Sequence, residues 1–433
     1  MGVTQESECL QWINDAFPCV LCILWFNVFK LVFVVYKVLM ILPDSTIGML
    51  GGGQLGRMFV SAAHDLGYRV IVLEPDPYSP AGLIADKHII AAYDDVEAME
   101  QLGQHCDVIT TEFENIPAHV LEKLSTFCSV HPHAAALEKA QDRNVEKAFI
   151  RSCGLLPVPY GSITTYSEIA AAVDKIDFPA IMKTARFGYD GKGQCRVNSL
   201  EEVQQAYNNF ERQHCVLEQM IDLKCEISVI LARKETGESH CFPVAENIHV
   251  EGILHQSIVP ARANEDIMQA AQVAAKRIAD KMDYIGVLAV EFFISQKNEL
   301  LVNEIAPRTH NSGHYSMDAC ITSQFEQQVR AICGLPFADT RLLSPVVMTN
   351  ILGDLWDLSL DKPVLNVTPL LNSGKSKLHL YAKREARAGR KMGHFNTLAK
   401  TTEIAQKEAN TVFRNVHGIT SRSSNAEFLS QLG

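Results

Sequence analysis

The sequence predicts an α/β chain, α+β overall, made of a Rossmann-like N-terminal domain, a larger central domain and a small β-rich C-terminal segment. Three observations predict it. A strand, a glycine turn, a helix and a second strand follow one another through residues 46–74, which is a βαβ unit. After residue 142 the pattern changes: strands flank a glycine-rich hinge, and an amphipathic helix leads into a hairpin. From about residue 345 the apolar runs again read as strands. The boundaries that follow are 1–45 for an N-terminal extension outside the fold, 46–142, 143–344 and 345–433.

In the first domain, Thr46-Ile-Gly-Met-Leu is a strand, and Gly51-Gly-Gly53-Gln54-Leu55-Gly56 turns into a helix. Tyr68-Arg-Val-Ile-Val-Leu-Glu74 is the next strand. G-x-G-x-x-G with an acidic residue about 20 positions on is the dinucleotide fingerprint. A helix N-terminus with bare glycines suits a phosphate, and the same turn serves any phosphorylated ligand. Asp107-Val-Ile-Thr is a further strand and residues 118–127 a further helix. In the central domain a helix opens at Asp142-Arg143 and Leu156-Pro-Val-Pro159 closes that segment. Ala180-Ile-Met-Lys183 is a strand, Phe187–Gln194 a glycine hinge, and Cys215–Ile221 and Cys225–Leu231 are strands. Gln269–Lys281 is the amphipathic helix before the hairpin. Pro345–Leu352 and Lys377–Tyr381 are strands of the C-terminal segment.

Composition narrows the function. The 433 residues can form two to four domains, and 21% charged with 47% hydrophobic residues is ordinary for a globular protein. A formal net charge of −11 argues against a general nucleic-acid binder, which needs a basic footprint, but allows a local basic pocket. Twelve scattered cysteines with one C-x-x-C, Cys19-Val-Leu-Cys22, complete no zinc site and suit a reducing cytoplasm. Residues 19–42 are long enough to span a bilayer, yet Asn27, Lys30 and Lys37 interrupt them. The acidic leading segment and the lack of an A-x-A site do not fit a signal peptide. The adopted reading is a native start at Met40, ahead of a peripheral or membrane anchor.

The residues with chemical potential are strung along the central domain. If Lys297-Asn298 is a two-residue turn, Glu291 lies opposite Glu304. Opposed like charges destabilise a strand pair, and a carboxylate inside an apolar run is expensive unless paired. A shared Mg²⁺ removes both problems. The competing reading is a solvent-facing pair in a slipped register, and spacing alone does not choose. Lys183 ends an apolar strand and either snorkels or meets an anion. The loop after it carries Gly188, Gly191 and Gly193, whose amides can approach phosphate oxygens, though it is no P-loop and also makes a good turn. The segment after Glu218 can pair with an adenine edge, and Glu226 can hold a ribose hydroxyl. The run from Tyr381 to His394 gathers five cations, Lys383, Arg384, Arg387, Arg390 and Lys391. Two glycines punctuate it, so it reads as an anion pocket at least as well as a solvated face.

Together these signals resemble the ATP-grasp superfamily, and within it the 5-(carboxyamino)imidazole ribonucleotide synthase family of purine biosynthesis. The carrying motifs are Gly51–Met58, Glu112–Pro117, Gly188–Gln194, Asn303–His314 and Gly389–His394, and the likeness covers residues 46–433. A related formate-using transformylase has a different signature after its Asn-Glu. The N-terminal extension has no counterpart in the family pattern. The resemblance implies ATP-dependent carboxylation of 5-aminoimidazole ribonucleotide by bicarbonate, through carboxyphosphate, with Mg²⁺ held by Glu291 and Glu304. It implies ATP contacts from Arg143, Lys183, Gly188, Tyr189, Asp190, Gly191, Lys192, Gly193, Gln194, Glu218, Gln219, Met220, Ile221, Glu226, His249, Asn303 and Glu304. Arg308, His310 and Asn311 would hold the acyl phosphate, and Asp190 would take a proton. Gln54, Leu55, Tyr189, Lys383, Arg387 and Arg390 would bind the ribonucleotide, with Lys383 counted among the catalytic groups as well. It also implies a cytoplasmic homodimer that hands its product to a mutase, with no nucleic-acid or membrane partner. The rivals are a formate-dependent ATP-grasp ligase, an NAD-dependent oxidoreductase resting on the glycine turn and Glu74, and a membrane-anchored scaffold resting on residues 19–42.

Overall fold

The computed structural model describes residues 40–186, 188, 193–358, 360 and 363–420. The apolar segment up to residue 39, with the start-site and anchor readings placed on it, lies outside the described residues, as do Tyr189, Asp190, Gly191 and Lys192. No helix among the described residues is long and apolar enough to cross a membrane.

Five strands make the first sheet: β1 (Thr46–Leu50), β2 (Arg69–Leu73), β3 (Lys87–Ile89), β4 (Val108–Thr111) and β5 (Ser129–His131). All neighbours are parallel, in the order β3-β2-β1-β4-β5. The near-continuous apolar runs of β1 and β2 are what a sheet covered on both faces demands. Helix α1 (Gln54–Asp65) packs Phe59, Val60 and Ala63 against Ile47 and Met49. Helices α2 (Val96–His105) and α3 (Ala118–Leu124) pack Leu102, Val120 and Leu121 against Leu50 and Ile109 on the other face. Strand order reverses between β1 and β4, so a crevice opens beyond their carboxyl ends, the usual ligand position in such sheets.

Helix α4 (Ala134–Gln141) passes through Asp142 into α5 (Arg143–Ser152). Asp142 caps α5, accepting from Asn144 N at 3.0 Å. Strands β6 (Tyr160–Ile163), β7 (Ala180–Thr184), β8 (Gln194–Val197) and β9 (Cys215–Gln219) form an antiparallel sheet in the order β6-β9-β7-β8. Helices α6 (Ile169–Val173) and α7 (Leu200–Asn209) cover it.

The largest sheet has nine strands. The central domain supplies β10 (Leu223–Arg233), β11 (Ser239–Cys241), β12 (Ala245–Val250), β13 (Ile253–Val259), β14 (Gly286–Ser295) and β15 (Leu300–Ala306). Helix α8 (Glu265–Lys281) starts one turn earlier than its apolar period suggests, because Asn264 caps it on Asp266 N at 2.8 Å. Short α9 (Ser316–Ala319) and α10 (Gln324–Ile332) follow the hairpin. Phe325, Val329 and Ile332 of α10 enter the core beneath α1, and Gln328 Nε2 donates to Thr110 Oγ1 at 3.0 Å, tying the first two domains together.

The C-terminal segment holds β16 (Val346–Leu352), β17 (Trp356–Asp357), β18 (Val364–Leu365), α11 (Thr368–Asn372), β19 (Ser376–Leu380), β20 (Lys391–Leu398) and α12 (Thr402–Thr420). Apart from the β17–β18 pair, its strands make no sheet of their own. β16 pairs with β13, so β16, β20 and β19 prolong the central sheet.

Glu291 pairs with Glu304, but the turn expected at Lys297-Asn298 is not the one formed. The loop is Gln296-Lys297-Asn298: Ser295 N donates to Glu299 O at 3.0 Å, Asn298 N donates to Ser295 O at 2.8 Å, and Asn298 has φ +61°. Asparagine tolerates this left-handed geometry, which closes a three-residue hairpin loop. The register running from that loop pairs Phe292 with Val302 and, continued, would set Glu291 against Asn303. A β-bulge inserts Asn303 as an extra residue and returns Glu291 to Glu304.

Candidate active site

The two carboxylates differ in environment. Glu291 is buried; burial first, and then the charge of Glu304, push it up to about 7. The Glu304 side chain is about one-third exposed and pairs with Arg143 at 3.3 Å. Across β14 from Glu304, β10 sets Ser228 beside Glu291, and Glu226 two residues earlier on β10 pairs with His249 of β12 at 2.8 Å. Burial opposes the charge of His249, but Glu226 outweighs it and raises its pKa. His310 Nε2 lies 3.6 Å from Glu291 Oε1 and its Nδ1 is 2.9 Å from Ser312 Oγ. Burial, and then Arg308, hold this imidazole well below its usual range, so it is neutral. Two facing oxygen donors fit a hard dication. Among the described residues no group of three or more His, Cys, Asp or Glu side chains is placed to hold a metal ion.

A second cluster faces this one from the four-stranded sheet. Lys183 on β7 binds Glu218 on β9 at 2.6 Å, and Lys147 on α5 binds the other oxygen at 2.9 Å. Burial works against the Glu218 charge, yet Lys147 and then Lys183 hold it far below the carboxylate range. Arg143, Glu146 and Lys147 share one face of α5 at i, i+3 and i+4. Burial pushes Glu146 up to about 8, and its carboxyl accepts from Ile305 N, the residue after Glu304. Gly188 O accepts from Arg143 Nη2 at 3.3 Å, and Gly193 O from Thr184 N at 2.9 Å. Gly193 has φ +69°, and a Cβ there would meet Thr184 Oγ1 at 2.8 Å, so glycine is required. Gln194 opens β8. Gln219 and Met220 are pinned to residues 177–179, the Met220 amide donating to Pro179 O at 2.9 Å. A cavity of about 240 Å³ is lined by Ile181, Gln194, Cys195, Arg196, Met220 and Glu251.

In the switch-point crevice three amides of the glycine turn, those of Gly52, Gly53 and Gly56, are taken by the protein's own carboxylates. Glu112, just past β4, accepts from Gly53 N and, at 2.6 Å, from Gly56 N, while Glu74 accepts from Gly52 N at 2.9 Å. Cβ atoms at Gly51, Gly52 and Gly53 would run into these two side chains, so the glycines admit the protein's own carboxylates. Burial raises the pKa of Glu112 against those hydrogen bonds. Lys383 contributes a positive field there and donates to Lys391 O at 2.8 Å. Leu55 is buried in the core, so only its backbone can face a ligand. Gln54 starts α1 at the rim. Arg390 donates to Glu385 O at 2.9 Å; burial, and then Arg387, lower its pKa, and Asp76 of the first domain faces it. The basic run therefore closes over the crevice.

Arg308 and Asn311 are already engaged. Arg308 Nε and Nη2 donate to the two oxygens of Glu114 at 2.5 and 3.1 Å. Asn311 exchanges amide hydrogen bonds with Asn350 at 3.0 and 2.6 Å. Sequence reasoning gives no role to Lys147, Glu146, Glu112 or Glu114, and counts Lys391 only among the five cations of the basic run. Lys391 lies near enough to Glu291 and His310 to shift both. A helical wheel through Arg143 would have found Lys147; nothing local marks the partner of Glu114.

Known proteins resemble this chain over most of its length. A ribonucleotide synthetase preATP-grasp domain model matches residues 44–141, an ATP-grasp domain model residues 148–325, and a phosphoribosylaminoimidazole carboxylase C-terminal domain model residues 346–408. The N5-carboxyaminoimidazole ribonucleotide synthase of Bacillus subtilis is 43% identical over 378 residues, covering 87% of this chain and 98% of that protein. The ADP-complexed N5-carboxyaminoimidazole synthetase of Staphylococcus aureus superposes with a TM-score of 0.81 at 38% identity, covering 86% of this chain and 98% of that one. The N5-carboxyaminoimidazole synthase of Aspergillus clavatus, in complex with ADP and 5-aminoimidazole ribonucleotide, gives a TM-score of 0.79 at 30% identity, covering 86% and 98%.

Proposed function

The chain belongs to the N5-carboxyaminoimidazole ribonucleotide synthase family and is an ATP-dependent carbon–nitrogen ligase of purine biosynthesis; from that premise we propose how its site works. ATP lies between the four-stranded and nine-stranded sheets, with adenine beside Met220 and phosphates between Lys183 and the hairpin. Glu291 and Glu304 would hold Mg²⁺, which when bound neutralises phosphate charge during transfer. A bicarbonate oxygen attacks the γ-phosphorus and ADP leaves, giving carboxyphosphate. Arg308, neutral His310 and Asn311 receive that small anion. Its C–O bond breaks to release CO₂ and phosphate in a site that must exclude water. The exocyclic amine of 5-aminoimidazole ribonucleotide attacks the carbon, and Asp190 takes the proton. Gln54 and the basic run bind the ribonucleotide in the switch-point crevice, with Lys383, Arg387 and Arg390 on its phosphate.

The observation that carries this reading is the Glu291–Glu304 pair with Arg308 and His310 beside it and Lys183–Glu218 facing it. An NAD-dependent oxidoreductase is disfavoured because Glu112 and Glu74 take the amides of Gly52, Gly53 and Gly56 in the glycine turn, and because it leaves the carboxylate hairpin and the basic run without a role. The deciding assay is ADP release that requires both bicarbonate and 5-aminoimidazole ribonucleotide; formate dependence, or indifference to the imidazole, overturns the proposal. In the same assay Lys383→Ala should raise the ribonucleotide KM roughly tenfold to a hundredfold, with little change for ATP. An unchanged ribonucleotide KM would remove the basic-run pocket. The nine described cysteines are all unpaired, which supports a reducing cytoplasm. The assembly inferred is a homodimer that passes its labile carbamate to a mutase; sedimentation as a monomer would remove the dimer.

A proton should leave when metal and nucleotide bind. Glu291 is raised in the folded state above its ordinary 4.5, so its contribution to stability is full below that value and is lost as pH rises through about 7. The metal-free protein should therefore lose thermal stability between pH 5 and 8, roughly that window, and Glu291→Gln should flatten the loss. A dication favours the ionised form, so Mg²⁺-ATP binding below pH 7 should release a proton. Calorimetry in two buffers of different ionisation enthalpy reads it, and a count of zero would contradict the shared-cation site.

A further inference from the structure

We propose that Glu114 is a positioning residue for the carboxylation step, turning the Arg308 guanidinium so that a single edge faces the acyl phosphate. The inference rests on the reading of Arg308 given above. Glu114 comes from the loop after β4 in the first domain, and Arg308 follows β15 in the central domain, 194 residues away. Glu114 takes the side edge of the guanidinium, through Nε at 2.5 Å and Nη2 at 3.1 Å. Nη1 donates to Thr309 O at 3.3 Å. A guanidinium has five N–H donors in a fixed fork. Three are used, and the remaining two, one on Nη1 and one on Nη2, have no acceptor among the described residues. With the side edge on Glu114, the donors left on Nη1 and Nη2 are the ones able to meet oxygens of a carboxylate or phosphate.

The loop that carries Glu114 is itself held. Gln141 Nε2 donates to Glu114 O at 2.7 Å and to Ile116 O at 2.8 Å. Arg308 also feels Glu304 and Glu112. Without Glu114 the guanidinium would be drawn toward Glu304, a metal-binding group, or toward Glu112 in the ribonucleotide crevice. Glu114 keeps it from both and aims it at the space beside His310.

The test uses the full chain with Glu114→Gln, which keeps the shape and removes the charge. The bicarbonate KM should rise about tenfold or more, with the KM for ATP and for the ribonucleotide within about twofold. In an Arg308→Lys background the same substitution should have no further effect on bicarbonate, because Glu114 acts only through that guanidinium. A parallel rise in ribonucleotide KM, or a full effect in the Arg308→Lys background, would make Glu114 a mere pin of its loop and overturn the inference. Should Glu114→Gln fail to fold, Glu114→Asp carries the same comparison, its shorter reach breaking one arm of the fork. Bicarbonate-dependent turnover in the wild type with an unchanged bicarbonate KM in the variant overturns this inference alone; no bicarbonate dependence in the wild type overturns the underlying reading and this inference together.

Discussion

Glu304→Ala should lower ATP turnover by roughly a thousandfold or more, the loss of several kcal/mol of transition-state charge stabilisation. The fold should survive, because this side chain is about one-third exposed and contributes nothing to the core. Removing its charge also relieves buried Glu291, whose pKa it helps to raise, so the metal-free variant should match or exceed wild-type thermal stability. That pairing of outcomes is diagnostic: a structural carboxylate would lose stability and activity together. The checks are ADP release at saturating substrates across a Mg²⁺ titration, and thermal unfolding without metal. Residual turnover above about a tenth of wild type would mean that the hairpin pair does not hold the catalytic cation.

Lys147→Met should destabilise the protein by about 3 kcal/mol, the usual result of removing one partner of a buried ion pair. Lys147 is 1% exposed and Glu218, which it shares with Lys183, is 3% exposed. Methionine preserves most of the volume, so the loss would report charge rather than a cavity. Lys183 would remain as the only ion-pair partner of Glu218 among the described residues and would be less free to meet a phosphate, so the KM for ATP should rise as well. Thermal unfolding of Lys147→Met beside Lys147→Ala measures the split. A cost below about 1 kcal/mol for Lys147→Met would mean that Lys183 alone satisfies Glu218.

The hairpin shows how far a sequence argument reaches. The pairing of Glu291 with Glu304 was one of two readings the spacing allowed, since side chains alternate strictly along a strand and both carboxylates interrupt apolar runs. The route was not legible. Spacing pointed to a two-residue turn, whereas Asn298 adopts a left-handed conformation and the bulge at Asn303 takes up the extra residue. The two departures cancel, so the correct partner emerged from an incorrect loop. The glycine turn is the reverse case. Its spacing was read correctly, and β1, α1 and β2 formed where expected. What the spacing does not show is that Glu112, just past β4 and 59 residues on from Gly53, takes two of the turn's amides.

What the sequence determined by itself were the features written in local periodicity and in motifs: the parallel βαβ unit, the apolar strands, the amphipathic helix, and the carboxylate hairpin with the Arg308–His314 run after it. These depend on alternation, on turn chemistry and on charge inside apolar runs, all visible within a few tens of residues. Tertiary structure alone decided which distant charges meet. Glu114 finds Arg308, Lys147 finds Glu218, Glu112 fills the glycine turn, and β16 joins β13 so that the C-terminal strands extend the central sheet. Such pairings leave no local trace, since an isolated glutamate or lysine reads as solvated surface until the fold removes water from around it and makes an opposite charge the remaining way to satisfy it.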